Sequence, residues 1–145
     1  MATTGEHPGH PGGALDGIAA AVAEFHEATG QPVNDLPVSD TGSDLVKLRI
    51  ALLEEDTGES VIAAGKGNLV AIADALADVV YVAYDTALTH GTDLDAVLRE
   101  VHQSNMSKLG ADGRPVIRDD GKVTKSDRYF PPAISALLET QSPLR

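Results

Sequence analysis

Paired acidic residues in the segment 48–85 are the side chains whose types and spacing point to chemistry. Glu55 and Glu59 are four residues apart, and so are Asp74 and Asp78, so each pair lies on one face of a helix. If the two helices form an antiparallel hairpin, the pairs face each other across it. Carboxylates held that close together are costly unless they are protonated or bridged by cations. The spacing therefore predicts a Mg²⁺ site.

A second interpretation treats these acids as two solvated helix faces that pair with nearby basic residues such as Lys47, Arg49 or Lys66. It suits Asp74 and Asp78 poorly, because alanine and valine surround both of them. An acid inside an apolar stretch is more often functional than decorative. Carboxylate oxygens are hard ligands, which favours Mg²⁺ or Mn²⁺ as the ion.

Basic residues are concentrated further along the chain. More than half of the eleven Lys and Arg residues of this acidic protein lie in one short segment. They are Lys108, Arg114, Arg118, Lys122, Lys125 and Arg128. This basic segment is either a solvated loop that balances nearby acids, or it folds over the acidic site and holds a polyanion. A triphosphate fits the second case, since Mg²⁺ bridges carboxylates to phosphate while Lys and Arg neutralise the remaining charge.

Four long helices must position these groups. Apolar periodicity predicts helices over 14–29, 44–64 and 68–90, and a fourth that ends near Leu109. The expected packed residues are Leu15, Ile18, Val22 and Phe25 in the first helix, with His26 on its surface, and Leu45, Leu48, Leu52 and Val61 in the second. The second and third helices are joined by a glycine turn at 65–68.

The remaining segments are short. Turn signals predict a small hairpin or ordered loop over 115–124, followed by a helix over 133–139 and a frayed tail. Residues 1–13 are rich in Gly, Pro, Thr and His, and we expect a disordered N-terminal tail there. Residues 14–145 are predicted to form a single domain.

Composition limits the class of protein. Aromatic residues make up 3% of the chain, and Ala, Leu and Val dominate, which favours packed helices. A formal charge of −11 argues against binding to nucleic acid or to an anionic membrane. With no Cys there is no disulfide and no thiolate metal site. No basic, apolar leader is evident at the N-terminus, so we expect a cytoplasmic protein.

The order of motifs resembles a known family. An EExxE-type segment, a short connection and an ExxD-like segment are followed by EVHQSNMSK and DGKVTK. This combination resembles the all-α NTP pyrophosphohydrolases, which include MazG, dimeric dUTPase-like and dCTPase enzymes and phosphoribosyl-ATP pyrophosphohydrolase. The similarity is closest to small MazG-like proteins of bacteria and phages, and it covers about residues 22 to 132. It implies an all-α fold, a MazG-like helical bundle with a short irregular or hairpin segment near the C-terminus.

The resemblance also implies a set of metal ligands. The acids that it assigns to the metal are Glu55, Asp56, Glu59 and Asp78, and Asp74 is added to the predicted ligands from its spacing to Asp78. The Glu of the ExxD motif falls on Ala75, which cannot bind a metal, and this is the main departure from the family pattern. Either the adjacent Asp74 supplies the missing ligand, or the site is weaker or holds a single ion.

The same resemblance implies an activity. Hydrolysis of a nucleoside triphosphate between the α and β phosphates gives the monophosphate and pyrophosphate, with Glu55 or Asp56 orienting or deprotonating the water. Asn105 and Lys108 match positions beside the nucleotide, and Lys122 and Lys125 are further candidates for phosphate contact. The alternatives are hydrolysis of phosphoribosyl-ATP, or a non-catalytic nucleotide-binding protein that lost turnover with the Glu at position 75.

An oligomer is expected as well. Apolar residues lie almost all round the helix 68–90, so it is either buried centrally or covered by a partner subunit. The resemblance implies a homodimer or a dimer of dimers, with sites near the interface.

Overall fold

A computed structural model describes residues 15–145, so the expectation of a disordered tail over 1–13 lies outside the described residues. The helices are α1 (Gly17–Thr29), α2 (Ser43–Lys66), α3 (Leu69–Thr89), α4 (Leu94–Met106) and α5 (Ile134–Thr140), and the strands are β1 (Val116–Ile117) and β2 (Val123–Thr124). The two strands pair antiparallel, with Val116 opposite Thr124. The prediction of an all-α fold with a short hairpin near the C-terminus is confirmed.

The longest helices, α2 and α3, form an antiparallel hairpin with a very short connection. The N–H of Gly67, at φ 65°, donates to the carbonyl of Ala64 and ends α2. The side chain of Asn68 accepts from the N–H of Ala71 at 3.2 Å and caps α3. The predicted turn at 65–68 is therefore wrong in its first half, because α2 continues through Lys66. Only two residues connect the helices.

The buried face of α1 agrees with the prediction at Leu15 and Val22 and differs from it elsewhere. Ile18 and Phe25 are 57% and 45% exposed, whereas Ala19, Val22 and His26 are buried. The prediction that His26 lies on the surface is wrong, since its side chain is fully enclosed. Apolar periodicity missed this face because a histidine with hydrogen-bonded ring nitrogens occupies a core position.

The buried face of α2 likewise agrees with the prediction only in part, since Leu45 and Leu52 are partly buried. Leu48 and Val61, which were expected to pack, are exposed, and the buried residues are Arg49 and Ala63. The apolar side chains at the two exposed positions made the apolar pattern misleading. The buried positions hold Arg49, which is charged and paired, and Ala63, which is small.

The end of the chain packs into the core, so the predicted frayed tail is wrong. Leu144 is completely buried in a cluster that includes Val22, Tyr84 and Leu88. Its N–H donates to the carbonyl of Asp35 at 2.9 Å. These contacts tie the last residues to α1, to α3 and to the loop between α1 and α2.

That loop, residues 30–42, runs against the end of α3. The N–H of Asn34 donates to the carbonyl of Leu88 at 3.0 Å. Gly91 has φ +67°, and a Cβ built on it would lie 2.1 Å from the carbonyl oxygen of Leu36. Only glycine fits here, because both the backbone conformation and the space exclude a side chain.

The outer surface of the α2–α3 hairpin is apolar. Its large side chains that are at least about half exposed are Leu48, Ile50, Val61, Ile62, Leu69, Val70, Leu76 and Val80. The helix 68–90 is thus not enclosed by the rest of its own chain. Among the described residues, no helix has the length and apolar character needed to cross a membrane.

Leu144 provides a test of the fold. Leu144→Ala removes a fully buried side chain and should lower the free energy of unfolding by about 2–4 kcal/mol. Leu98→Ala is the matched control, because Leu98 is 48% exposed and should lose less than about 1 kcal/mol. Urea unfolding followed by circular dichroism measures both. Equal losses would contradict the core position of Leu144.

Candidate metal centre

Three carboxylates meet across the α2–α3 hairpin. Ligand oxygens of Asp56 and Glu59 on α2 and of Asp78 on α3 all lie within 4.8 Å of one another. The Asp56–Glu59 spacing places both side chains on one face of α2, and the hairpin brings that face to Asp78. These three residues are called the acidic cluster below.

The acidic cluster contains three of the five acids predicted as metal ligands. Glu55 and Asp74 lie outside the group, and both are exposed to solvent. The predicted turn over 65–68 has its centre between Lys66 and Gly67, and a hairpin with that centre pairs Glu55 with Asp78. The actual connection centres it on Gly67, and Asp56 faces Asp78 instead.

Position 75 is on the buried side of α3. Ala75 is 7% exposed and lies one turn before Asp78. A side chain at this position points towards the interface with α2, whereas that of Asp74 is solvent-exposed. Neighbouring positions on a helix differ by about 100° around its axis, which explains the different directions of Ala75 and Asp74.

The acidic cluster has no basic partner. Between residues 15 and 145, no Lys, Arg or His nitrogen lies within 4.0 Å of a carboxylate oxygen of Asp56, Glu59 or Asp78. Partial burial raises the pKa of Asp56 above its ordinary value, and the charges of Asp78, Glu55 and Asp85 raise it further. Three hard oxygen donors with an unrelieved negative charge fit a divalent cation such as Mg²⁺ or Mn²⁺.

The predicted phosphate-contacting residues lie at the far end of α4 and around the β-hairpin. Asn105 is exposed in the last turn of α4, and Lys108 is partly buried just beyond it. Lys122 is exposed beside β2, and the ammonium of Lys125 lies 4.6 Å from the centre of the Tyr129 ring. None of these residues forms an ion pair with the acidic cluster in the described chain.

Two serines of the motif EVHQSNMSK have a structural role that the sequence did not reveal. The buried Ser104 hydroxyl donates to the carbonyl of Phe130 at 2.8 Å, and the Ser107 hydroxyl accepts from the N–H of Phe130 at 3.0 Å. They fasten the chain that returns from the β-hairpin to the end of α4. Asn105 lies between them, so its position is fixed from both sides.

Sequence reasoning also missed a group of buried polar residues. In the interior, Asp85 of α3 forms a hydrogen bond with His26 of α1 and an ion pair with Arg49 of α2. The only signal in the sequence is the spacing, since Arg49 precedes Asp56 and Asp85 follows Asp78 by the same seven residues.

Comparison with known proteins gives two matches. Residues 22–105 match the family model described as phosphoribosyl-ATP pyrophosphohydrolase. The chain is also 32% identical over 109 residues to an uncharacterized protein of Acanthamoeba polyphaga mimivirus. That alignment covers 73% of this chain and 41% of the viral protein, so the chain spans about two fifths of the length of that relative.

The charge of the acidic cluster predicts opposite effects of one substitution on stability and on metal binding. A carboxyl whose pKa is raised by folding favours the folded state at low pH, and this contribution is lost as the pH rises through the raised pKa. Asp78→Asn removes one source of repulsion. Near neutral pH the metal-free variant should be more stable than the wild type, on the order of 0.5 kcal/mol, and the difference should shrink in acid.

Thermal unfolding in EDTA and in Mg²⁺ measures both effects. Mg²⁺ should stabilise the wild type and leave Asp78→Asn unchanged, since the variant lacks one of three ligands. Glu24→Gln, which removes an exposed charge on α1, is the control. A variant that is less stable than the wild type in EDTA at neutral pH would contradict the repulsion.

Proposed function

The chain belongs to the phosphoribosyl-ATP pyrophosphohydrolase family, and from this membership we propose that it is a Mg²⁺-dependent nucleoside triphosphate pyrophosphohydrolase. It cleaves a (deoxy)nucleoside triphosphate between the α and β phosphates and releases the monophosphate and pyrophosphate. The observation that carries the proposal is the acidic cluster, whose three carboxylates converge without a basic partner among residues 15–145. The family match supports a nucleotide pyrophosphohydrolase-type activity, and the cluster supports its dependence on a divalent cation.

Asp56, Glu59 and Asp78 are the residues that hold the ion. A divalent cation held by these three carboxylates would supply charge neutralisation of the phosphates and would make a nearby water more acidic. Of the two acids proposed to orient or deprotonate the attacking water, Glu55 is outside the ligand group but close enough for its charge to raise the pKa of Asp56. Glu55 therefore has a carboxylate available as general base, while Asp56 serves the ion.

Phosphate binding is assigned to Asn105, Lys108, Lys122 and Lys125. The basic segment also contains Arg118, but its guanidinium is already paired with Asp120 at 2.5 Å. Within residues 15–145, the three lysines form no ion pair, so their charges are available to a polyanion. A triphosphate between these lysines and the acidic cluster has both ends of its charge compensated.

We also propose a homodimer or a dimer of dimers. Several exposed apolar side chains of the α2–α3 hairpin would be covered by a second copy, since monomers rarely leave so many large apolar side chains in water. The hairpin also carries the acidic cluster, which places the site close to this surface.

Two alternatives have specific support. The description of the matching family favours phosphoribosyl-ATP as the substrate, and this compound contains the same α–β phosphate bond. The buried Ala75, with Asp74 outside the acidic cluster, favours a nucleotide-binding protein without turnover. Both retain a nucleotide and a divalent cation as ligands.

Product analysis distinguishes these functions. The protein is incubated with Mg²⁺ and each of a panel of (deoxy)nucleoside triphosphates and phosphoribosyl-ATP, and pyrophosphate and orthophosphate are assayed separately. Pyrophosphate should accumulate with the monophosphate in equal amounts. Asp78→Asn should lower kcat/KM by about 100-fold or more, the scale of losing an electrostatic contact in the transition state. Release of orthophosphate alone excludes α–β cleavage, and nucleotide binding without turnover favours the non-catalytic alternative.

Substitution at position 75 tests whether the site lacks one ligand. Ala75→Glu adds a carboxylate one turn before Asp78 on the side that faces α2, and it should tighten Mg²⁺ binding by about tenfold, or 1.4 kcal/mol. Ala75→Gln has the same size without the charge and should not. Asp74→Asn should change the affinity less than Asp78→Asn does. Isothermal titration calorimetry measures the Mg²⁺ affinity of the wild type and of the four variants. Equal effects of Ala75→Glu and Ala75→Gln would show that the volume of the side chain, not its charge, changes the affinity.

A further inference from the structure

A buried polar group joins the three N-terminal helices of the described chain and has no part in the proposed mechanism. His26, Arg49 and Asp85 are 0%, 3% and 7% exposed. One carboxylate oxygen of Asp85 bonds to Nε2 of His26, and the other lies 3.4 Å from the guanidinium of Arg49. A second guanidinium nitrogen of Arg49 donates to the side chain of Gln31 at 2.9 Å.

The hydrogen-bond partners fix the roles of these groups. Nδ1 of His26 lies 3.1 Å from the carbonyl oxygen of Pro32, which only accepts, so this nitrogen is a donor. Nε2 faces Asp85, whose carboxylate is held beside the positive charge of Arg49. Asp85 therefore contacts both α1 and α2, through a hydrogen bond with His26 and an ion pair with Arg49.

The buried pair lies on the same line of the helix interface as the acidic cluster. Every seventh residue on α2 and on α3 returns to this line after two helical turns, about 10.5 Å along the axis. The facing positions are Arg49 and Asp85, then Asp56 and Asp78, then Ala63 and Ala71. Arg49 and Asp85 thus occupy the same register as the two carboxylates that meet in the cluster.

Apolar contacts alone set this register weakly. The buried residues of the interface near the cluster include Ala63, Ala75 and Val82, which are small and make non-directional contacts. An ion pair is directional, and a slip by one residue would leave two charges buried without partners. Breaking such a pair is strongly unfavourable, because it leaves an uncompensated charge in the interior. Buried polar pairs are a known means of fixing the register of packed helices.

We propose that the buried Arg49–Asp85 pair, held from α1 by His26, is a positioning element that sets the register of α2 against α3 and so brings Asp56 and Glu59 to Asp78. The residues act through the backbone of the two helices and do not touch the substrate. The consequence for Mg²⁺ rests on the proposed function of the acidic cluster, whereas the register itself does not.

Asp85→Asn tests the proposal because the amide retains an acceptor for His26 and removes the charge facing Arg49. Positioning groups behind metal ligands affect metal affinity by 10–100-fold, so the Mg²⁺ dissociation constant from calorimetry should rise at least about tenfold. Arg49→Lys keeps the charge without the guanidinium fork and should give a smaller rise. Glu24→Gln, which removes one surface charge, should leave the constant unchanged.

The register is measured separately, without metal. The chain has no cysteine, so spin labels can be placed at Glu54→Cys on α2 and Val80→Cys on α3, both exposed. In Asp85→Asn the distance between the labels should shift or broaden by several ångströms, since a slip of one turn is about 5.4 Å. The labelled protein is diluted with unlabelled protein so that only distances within one chain are recorded.

The two measurements separate the two proposals. If the wild type binds no Mg²⁺, the metal centre fails, and the label distance still decides the register. If Asp85→Asn and Arg49→Lys both keep the wild-type distance and the wild-type affinity, the positioning role is overturned. If Asp85→Asn does not fold, Arg49→Lys carries the same test, and an unchanged distance and affinity in that variant also overturn it.

Discussion

Asp85 is the acceptor on which the arrangement of the helices depends. Its carboxylate binds His26 of α1 and Arg49 of α2, so one side chain of α3 connects three helices. Charges removed from water are tolerated only when their partners replace the lost solvation, and here the partners come from different elements. The helices therefore cannot move independently without exposing an unsatisfied charge.

Two helical turns further along the interface between α2 and α3, at the acidic cluster, the neighbouring charges have the same sign. Within residues 15–145, Asp56, Glu59 and Asp78 come together without a basic residue in ion-pair distance, and partial burial, followed by the neighbouring negative charges, raises the pKa of Asp56. The buried set contains charges of opposite sign, although the Nε of Arg49 has no hydrogen-bond partner in the described chain, whereas the acidic cluster contains charges of one sign and therefore carries unfavourable electrostatic energy. A cation or a proton relieves that energy, and this is why the acidic cluster, and not the buried one, is the candidate site.

Secondary structure was predictable from the sequence because apolar periodicity and caps act locally. The buried faces of α1 and α2 were only partly predictable, and the errors in both helices have the same cause. Ile18, Phe25, Leu48 and Val61 are apolar and exposed, while His26 and Arg49 are polar and buried. Hydrophobic patterning assigns the core to apolar side chains, so it cannot find an interface built on a long-range ion pair. The chemistry of the site was recognisable from its acids. Which acids face each other could be determined only from the true centre of the hairpin.

That centre is the connection of Gly67 and Asn68, which contacts no residue of the acidic cluster through its own side chains. Its length nevertheless has a functional meaning. Each residue added to or removed from α3 near this point turns the helix by about 100° relative to α2 unless the connection absorbs the change, and a two-residue connection has little slack. Evolution can therefore vary the chemistry of these two residues, within what the caps allow, more freely than their number.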